Sequence, residues 1–132
     1  MTVLAQSRPE RLAGEPAWTP VCPLADLLPE RGVCALVDAA QVAVFLGYGS
    51  TLYAVSNYDP FSGAFVLSRG IMGTRGDVPT VASPVGKQVF DLTTGACLDK
   101  PGVSVPVAGV RVTSGVVEVT RPVAATECPG DQ

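Results

Sequence analysis

The sequence predicts an all-β sandwich or barrel built from short strands and many turns. Its 132 residues allow a single domain, and the 47% hydrophobic fraction is enough to fill one core. Fourteen glycines and twelve prolines are spread evenly along the chain. Segments rich in valine, threonine and aromatic residues lie between these turn formers, which is typical of many short strands. No internal repeat is visible, and this argues against a solenoid.

The N-terminal part predicts an arm, an edge strand and a hairpin. Residues 1–16 are polar and carry two prolines, so we expect a mobile arm. Residues 18–23 suit an edge strand because proline cannot donate to a central ladder. Residues 24–28, bounded by prolines, can make one helical turn. Residues 33–46 fit either a helix or a hairpin that turns at residues 38–40, and their weak helix formers favour the hairpin.

The middle of the chain predicts one good strand followed by a long irregular region. Residues 51–56 are rich in strand formers. Residues 57–76 contain several glycines, and we expect loops there with one brief extended piece at residues 65–67. The glycines of residues 70–76 lack the spacing of a dinucleotide-binding loop, so a surface loop is expected.

The C-terminal part predicts further short strands. Valine, phenylalanine and alternating patterns place them at residues 78–82 (interrupted by Pro79), 88–92, 96–98, 103–107, 110–112 and 116–120. Tight turns are expected at residues 93–95 and 114–115, where glycine ends each turn. We therefore assign residues 17–121 to the β domain and residues 122–132 to a C-terminal tail.

The absence of histidine excludes many catalytic arrangements. Ser-His-Asp and Cys-His mechanisms cannot form, nor can a zinc site that needs imidazole. No phosphate-binding loop motif is present. A pair among Asp59, Asp77, Asp91 and Asp99 could in principle act in acid–base chemistry, but their neighbouring glycines and prolines favour turn and capping roles. We expect no catalytic residue on this chain.

Charge and hydropathy indicate a cytoplasmic protein with no nucleic-acid or membrane partner. The formal net charge is −3, and the nine lysines and arginines form no basic cluster of the kind that nucleic acids require. No apolar run reaches the roughly 18 residues of a membrane-spanning helix. The charged N-terminal residues do not resemble a secretion signal.

The four cysteines, Cys22, Cys34, Cys97 and Cys128, are scattered and form no C-x-x-C pair. Without a secretion signal, free thiols are the favoured interpretation. A zinc or iron–sulfur site built from all four is one alternative, and two disulfides are another.

Two segments, residues 52–60 and residues 83–95, resemble the cluster-binding loops of a Rieske domain. In that family a C-x-H loop and a C-P-x-H loop each follow a strand, and the second runs on into a Phe-Asp strand and a Thr-Gly turn, as it does here. The resemblance implies a Rieske-like antiparallel β-sandwich or barrel of short strands with long loops.

All four ligand positions of that resemblance are changed. Asn57 and Asp59 stand where the first cysteine and histidine would be, and Ser83 and Gly86 stand at the second pair. A Rieske cluster needs two thiolates on one iron and two imidazoles on the other. The likeness in fold therefore does not imply the cofactor, and no metal site is expected.

Further phrases resemble a ligand-free branch of the family, the small subunit of assimilatory NAD(P)H-dependent nitrite reductase. They follow in order between residues 18 and 120, at residues 21–27, 53–57, 59–64, 67–70, 83–84 and 87–88. The resemblance implies an accessory, non-catalytic subunit without a cofactor of its own. Its partner would be a large subunit that carries FAD, siroheme and an iron–sulfur cluster, takes electrons from NAD(P)H and reduces nitrite to ammonium.

The same resemblance implies that the two degenerate loops form one tip of the domain, where the partner could dock. Tyr58 and Phe61 are aromatic residues beside the charged Asp59, Arg69 and Lys87, a composition that interface centres favour. The alternative is that Phe61 fills the space that a cluster would take.

Two other functions stay open at this point. The chain could be a stand-alone iron–sulfur electron carrier that uses its four cysteines, in which case the purified protein would be brown. It could also be a β-domain binding module with an unrelated partner, which co-purification would reveal.

Overall fold

The computed structural model describes residues 2–4 and 17–123, and this part of the chain is all-β, as predicted. Ten strands lie within it: β1 (Thr2–Leu4), β2 (Thr19–Pro23), β3 (Gly32–Val37), β4 (Ala40–Leu46), β5 (Leu52–Ser56), β6 (Ile71–Arg75), β7 (Val78–Ala82), β8 (Val89–Asp91), β9 (Val110–Thr113) and β10 (Val116–Val119). Its helical segments are three short 3-10 turns, Leu24–Asp26, Tyr48–Ser50 and Leu67–Arg69. The described residues contain no helix with the length and hydropathy needed to span a membrane.

The strands form three small sheets, in the orders β1-β3-β4-β5, β2-β10-β9 and β6-β7-β8. Neighbouring strands are antiparallel except β1 and β3, which are parallel. Strand β2 lies at a sheet edge, where its prolines cost no central hydrogen bond. The predicted edge strand and the single helical turn after it are both confirmed.

The segment that fitted either a helix or a hairpin is the hairpin β3–β4. Val37 pairs with Ala40, which leaves Asp38 and Ala39 as a two-residue turn. Both have positive φ, 49° and 69°, as the type I′ turn favoured by twisted hairpins requires. Ser114 and Gly115 make the corresponding turn between β9 and β10 with φ of 51° and 80°, at the predicted position.

Strand β4 separates two hydrophobic clusters. Alternate side chains of a strand point to opposite faces, so Val42 and Val44 enter the first cluster while Ala43 and Phe45 enter the second. The first cluster includes buried residues of β2, β3 and β10, and the second includes residues of β5, β7 and β8. Because β4 is covered on both faces, its apolar residues are continuous and show no clear strand alternation.

The prediction of loops throughout residues 57–76 was wrong at β6. This strand pairs with β7 along its whole length, from Ile71 opposite Ala82 to Arg75 opposite Val78. It is an edge strand that exposes most of its side chains, so its sequence shows no apolar pattern. The extended piece expected at residues 65–67 is confirmed only at Phe65, which makes an isolated antiparallel bridge with Tyr58, because Leu67 begins a 3-10 turn.

Strand β7 is continuous through Pro79, and the predicted interruption was wrong. Pro79 stays in register opposite Thr74 of β6 and lies just before Thr80, where the paired residues of β8 begin. The Pro79 carbonyl oxygen still accepts the Leu92 N–H at 2.9 Å.

Residues 103–107 are the opposite case. Their valines predicted a strand, but the structure has only isolated bridges there.

Backbone pairing extends into both segments that the sequence predicted to be an N-terminal arm and a C-terminal tail. Strand β1 falls within the expected N-terminal arm and pairs with β3, whereas residues 5–16 lie outside the described residues. At the other end, Val123 exchanges backbone hydrogen bonds with Val107, of 2.8 and 3.2 Å. Residues 124–132 also lie outside the described part, so the domain boundaries stay a prediction.

Candidate functional site at the tip of the domain

Two loops meet at one point of the structure. The first tip loop, residues 57–63, leaves β5, and the second tip loop, residues 83–87, leaves β7. The Ser83 hydroxyl donates a hydrogen bond of 2.6 Å to Asp59 Oδ2 and so joins the loops directly. Both side chains are buried. A hydrogen bond to a carboxylate is stronger than one between neutral groups, especially away from water.

The side-chain amide of Asn57, at the start of the first tip loop, is hydrogen-bonded inside the protein. Its Nδ2 donates to Gln41 Oε1 at 3.0 Å and to the Phe65 carbonyl oxygen at 3.1 Å, with Cys34 Sγ at 3.5 Å. Its Oδ1 accepts the Ser68 N–H at 2.6 Å. The buried amide therefore ties the loop to strands β3 and β4.

Asp59 is the centre of the first tip loop. Its Oδ1 accepts the Phe61 N–H at 2.9 Å, and its Oδ2 accepts the Ser62 hydroxyl at 2.9 Å in addition to the Ser83 hydroxyl. Its own N–H donates to the Ala64 carbonyl oxygen at 2.8 Å. Burial raises the pKa of the Asp59 carboxyl, but the hydrogen bonds from Ser83, Phe61 and Ser62 outweigh burial and hold the pKa below its ordinary value. The group is thus ionised at neutral pH.

Ser83 organises the second tip loop in a similar way. Its Oγ accepts the N–H groups of Val85 and Gly86 at 3.2 and 3.4 Å, and its carbonyl oxygen accepts the Lys87 N–H at 3.0 Å. The Gln88 side chain occupies the space that a Cβ at Gly86 would need. The second tip loop is therefore a closed turn with Gln88 packed against Gly86.

The residues predicted to contact a partner divide into three groups. Tyr58 and Phe61 expose 40% and 37% of their surface, and Lys87 is also exposed. Asp59 is fully buried, and its carboxylate is hydrogen-bonded within the tip. Arg69 is exposed and, with Arg31, lines an open cavity of about 380 Å³.

The aromatic residues of the tip are half packed and half exposed. The Phe61 ring lies 6.1 Å from the ring of the buried Phe90, and the Tyr58 ring lies 5.1 Å from that of Phe65. Phe61 therefore covers part of the core and still presents an edge to solvent. We call the exposed aromatic residues Tyr58, Phe61 and Phe65 the tip patch; Val85 of the second tip loop is exposed as well.

The sequence reasoning missed three side chains of the site. Ser62 follows Asp59 by three residues, a spacing that turn chemistry could have indicated. Gln41 lies 16 residues before Asn57, and Gln88 acts through packing against a glycine. Gln41 has no local signal because its role depends on a tertiary contact, whereas Gln88 packs on a residue only two positions earlier.

Residues 17–120 match the family model described as the Rieske-like [2Fe-2S] domain. The chain belongs to the Rieske-like family. The nitrite reductase (NADH) small subunit of Escherichia coli strain K12 is 44% identical over 103 residues, which cover 77% of this chain and 95% of that protein. A crystal structure of a candidate NADH-dependent nitrite reductase small subunit from Mycobacterium tuberculosis superposes with a TM-score of 0.79. It is 48% identical and covers 83% of this chain and 99% of that one.

A larger relative contains a segment that is similar in sequence to this chain. The NAD(P)H nitrite reductase large subunit of Klebsiella oxytoca is 36% identical over 119 residues, which are 86% of this chain and 12% of that protein. The family and the branch that the sequence resembles are thus confirmed: this Rieske-like domain is a homologue of nitrite reductase small subunits.

The four ligand positions at the tip of this Rieske-like domain do not fit a Rieske cluster. Thiolate and imidazole donors are required, and Asn57, Asp59, Ser83 and Gly86 supply neither. The three polar side chains among them are already hydrogen-bonded within the protein. In the described part of the chain, no group of three or more cysteine and carboxylate side chains is arranged to hold a metal ion.

Proposed function

We propose that this chain is the small accessory subunit of an NAD(P)H-dependent nitrite reductase in the cytoplasm. The observation that carries the proposal is its 44% identity over 95% of the Escherichia coli small subunit. The reduction of nitrite to ammonium takes place on the large subunit, which carries FAD, siroheme and an iron–sulfur cluster. The small subunit supplies no catalytic residue and acts by binding that partner.

The Klebsiella relative supports the choice of partner. In that protein a segment 36% identical to this chain forms 12% of a large-subunit polypeptide. A domain that is covalently attached to the reductase in one protein and is a separate chain in others is expected to work beside the reductase in both.

We also propose that the chain holds no iron–sulfur cluster, in contrast to a stand-alone electron carrier. The three cysteines within the described residues form no group that could hold a metal ion. Cys22 packs in the first hydrophobic cluster and Cys97 in the second, while Cys34 contacts the amide of Asn57. Cys128 lies outside the described residues.

The test is co-expression of a tagged form of the chain with the large subunit. We expect the large subunit to be retained on the tag and the complex to reduce nitrite to ammonium with NADH or NADPH. The chain purified alone and anaerobically should be colourless and inactive. Failure to retain a large subunit that is fully active by itself would contradict the accessory role, and stoichiometric iron and acid-labile sulfide on the chain would contradict the absence of a cluster.

The tip patch, together with the exposed Lys87 of the second tip loop, is the docking surface that we propose. Exposed aromatic side chains rimmed by a charge are typical of interface centres. Tyr58→Ala and Lys87→Glu should each weaken binding of the large subunit by about 1–3 kcal/mol. Lys100→Glu is the matched control, since it makes the same charge change at an exposed site outside both tip loops. Unchanged affinity in both tip variants would exclude this surface.

A further inference from the structure

The two groups that join the tip loops stand at one ligand position of each loop. Where a Rieske cluster is present, each loop supplies ligands to it, so the loops are joined through iron. Here the Ser83 hydroxyl and the Asp59 carboxylate are joined directly, with 2.6 Å between Oγ and Oδ2. We propose that this hydrogen bond, the tip clamp, replaces the cluster as the cross-link that holds the two tip loops in one arrangement.

The surroundings of the tip clamp suit a cross-link. Both partners are buried, so water cannot compete for the bond. Each partner also organises its own loop: the Asp59 carboxylate accepts the Phe61 N–H, and the Ser83 hydroxyl oxygen accepts the Val85 N–H. The clamp therefore connects two small networks, and a change at either end is transmitted to both loops.

Asn57 and Gly86, at the other two ligand positions, also help to hold the tip loops in place. Asn57 anchors the first tip loop to β4 through Gln41, at 3.0 Å. Gly86 carries no side chain and so leaves room for Gln88 to pack on the second tip loop. All four former ligand positions thus hold the loops by hydrogen bonding or packing instead of by metal coordination.

The clamp also sets the position of the tip patch. Asp59 Oδ1 fixes the backbone of Phe61, whose ring rests beside Phe90. A surface that is held in its bound shape loses less conformational freedom on association and so binds more tightly. If the tip docks on the large subunit, which rests on the proposed function, then Asp59 and Ser83 are positioning residues for that contact although neither faces the partner.

The test compares two serines that donate to the same oxygen. Ser83→Ala removes the donor that comes from the other loop, whereas Ser62→Ala removes a donor from within the first tip loop and leaves the clamp intact. Amide hydrogen exchange of the isolated chain is read at residues 57–63 and 83–87. Ser83→Ala should accelerate exchange in both loops by roughly tenfold, the size expected for a lost hydrogen bond to a charged group. Ser62→Ala should affect the first tip loop alone.

Asp59→Asn and Asp91→Asn form a second matched pair. The Asp91 carboxylate accepts hydrogen bonds from the N–H and hydroxyl of Thr93 within one turn and joins no separate loops. Asp59→Asn should accelerate exchange in both tip loops, and Asp91→Asn should leave the tip unchanged. Exchange that is unaltered in the first tip loop of Ser83→Ala and in the second tip loop of Asp59→Asn would overturn the clamp, because each of these effects has to cross from one loop to the other.

Measurements of binding to the large subunit distinguish failure of the clamp from failure of the proposed function. Ser83→Ala should weaken binding to the large subunit several-fold, while Asp91→Asn, which lies outside both tip loops, binds as wild type does. If Ser83→Ala loosens both loops without any loss of affinity, the clamp does not position a docking surface. If the wild-type chain does not bind the large subunit, the proposed function fails, and the exchange experiment on the isolated chain still decides the cross-link.

Discussion

Asp59 is a buried carboxylate, and such a group is costly unless hydrogen bonds compensate for its lost hydration. Three donors, from Phe61, Ser62 and Ser83, provide that compensation. Asn57 follows the same rule with a neutral amide that both donates and accepts. Asp59 and Asn57 are thus held in place by hydrogen bonds to defined partners.

The lowered pKa of Asp59 predicts how pH affects stability. Hydrogen bonds from Ser83, Phe61 and Ser62 overcome the effect of burial and lower this pKa, so the carboxylate stabilises the fold fully above its unfolded-state pKa of about 3.9. That contribution is lost as the pH falls through the lower, folded-state pKa. The difference in unfolding free energy between the wild type and Asp59→Asn should therefore shrink as the pH falls below about 4.

Urea unfolding at a series of pH values measures that difference. Asp91, where hydrogen bonds from Thr93 outweigh burial, and Asp99, which is hydrogen-bonded to Arg75, also have a lowered pKa. They titrate alike in the wild type and in Asp59→Asn, so their effects cancel. A difference that stays constant with pH would show that the Asp59 carboxylate does not stabilise the fold.

Phe90 provides a second prediction at this scale. Its side chain is fully buried in the second hydrophobic cluster. Phe90→Ala should lower the unfolding free energy by about 3–5 kcal/mol through lost burial and a residual cavity. Phe65→Ala, at a side chain that is 53% exposed, is the control and should cost far less. Equal losses in the two variants, measured by urea denaturation, would contradict this assignment of core and surface.

At the scale of elements, the strands that could be predicted are those whose residue types or turn residues indicate a strand. The hairpin β3–β4 has weak helix formers and a polar turn, and β2 has its prolines. Strand β6 was missed because only Met72 of its five residues is buried, and backbone pairing with β7 leaves no trace in a composition. The Ser83–Asp59 bond could not be predicted for the same kind of reason, since it joins residues 24 positions apart.

The two tight turns give a prediction for the elements. Ala39 has φ of 69° and Gly115 has φ of 80°, and this region costs a residue with a side chain about 1–2 kcal/mol. Ala39→Gly relieves that strain but loses about 0.5–1 kcal/mol of chain entropy, so it should raise the unfolding free energy by up to about 1 kcal/mol. Gly115→Ala should lower it by a similar amount, because a Cβ there meets no neighbour and only the backbone is strained. Effects of the opposite sign in thermal or urea unfolding would contradict these turn conformations.

At the scale of the whole molecule, two hydrophobic clusters on either side of β4 hold the domain together without disulfides in the described residues. Cys22, Cys34 and Cys97 are all buried and free. They lie in different surroundings, with Cys22 in the first cluster and Cys97 in the second. The prediction of free thiols is confirmed for these three residues, whereas for Cys128 it stays a prediction.

Thiol reactivity tests that arrangement. Burial raises the pKa of the Cys22 and Cys34 thiols, so little reactive thiolate is present at neutral pH and the folded protein should react slowly at both. After unfolding without reductant, an aromatic disulfide reagent should find all four of the cysteines in the sequence. Cys128→Ser should lower that count by one and leave the slow reaction of the folded protein unchanged. A count of two in the wild type would reveal a disulfide, and because disulfides are rare in the cytosol, it would also contradict the proposed compartment.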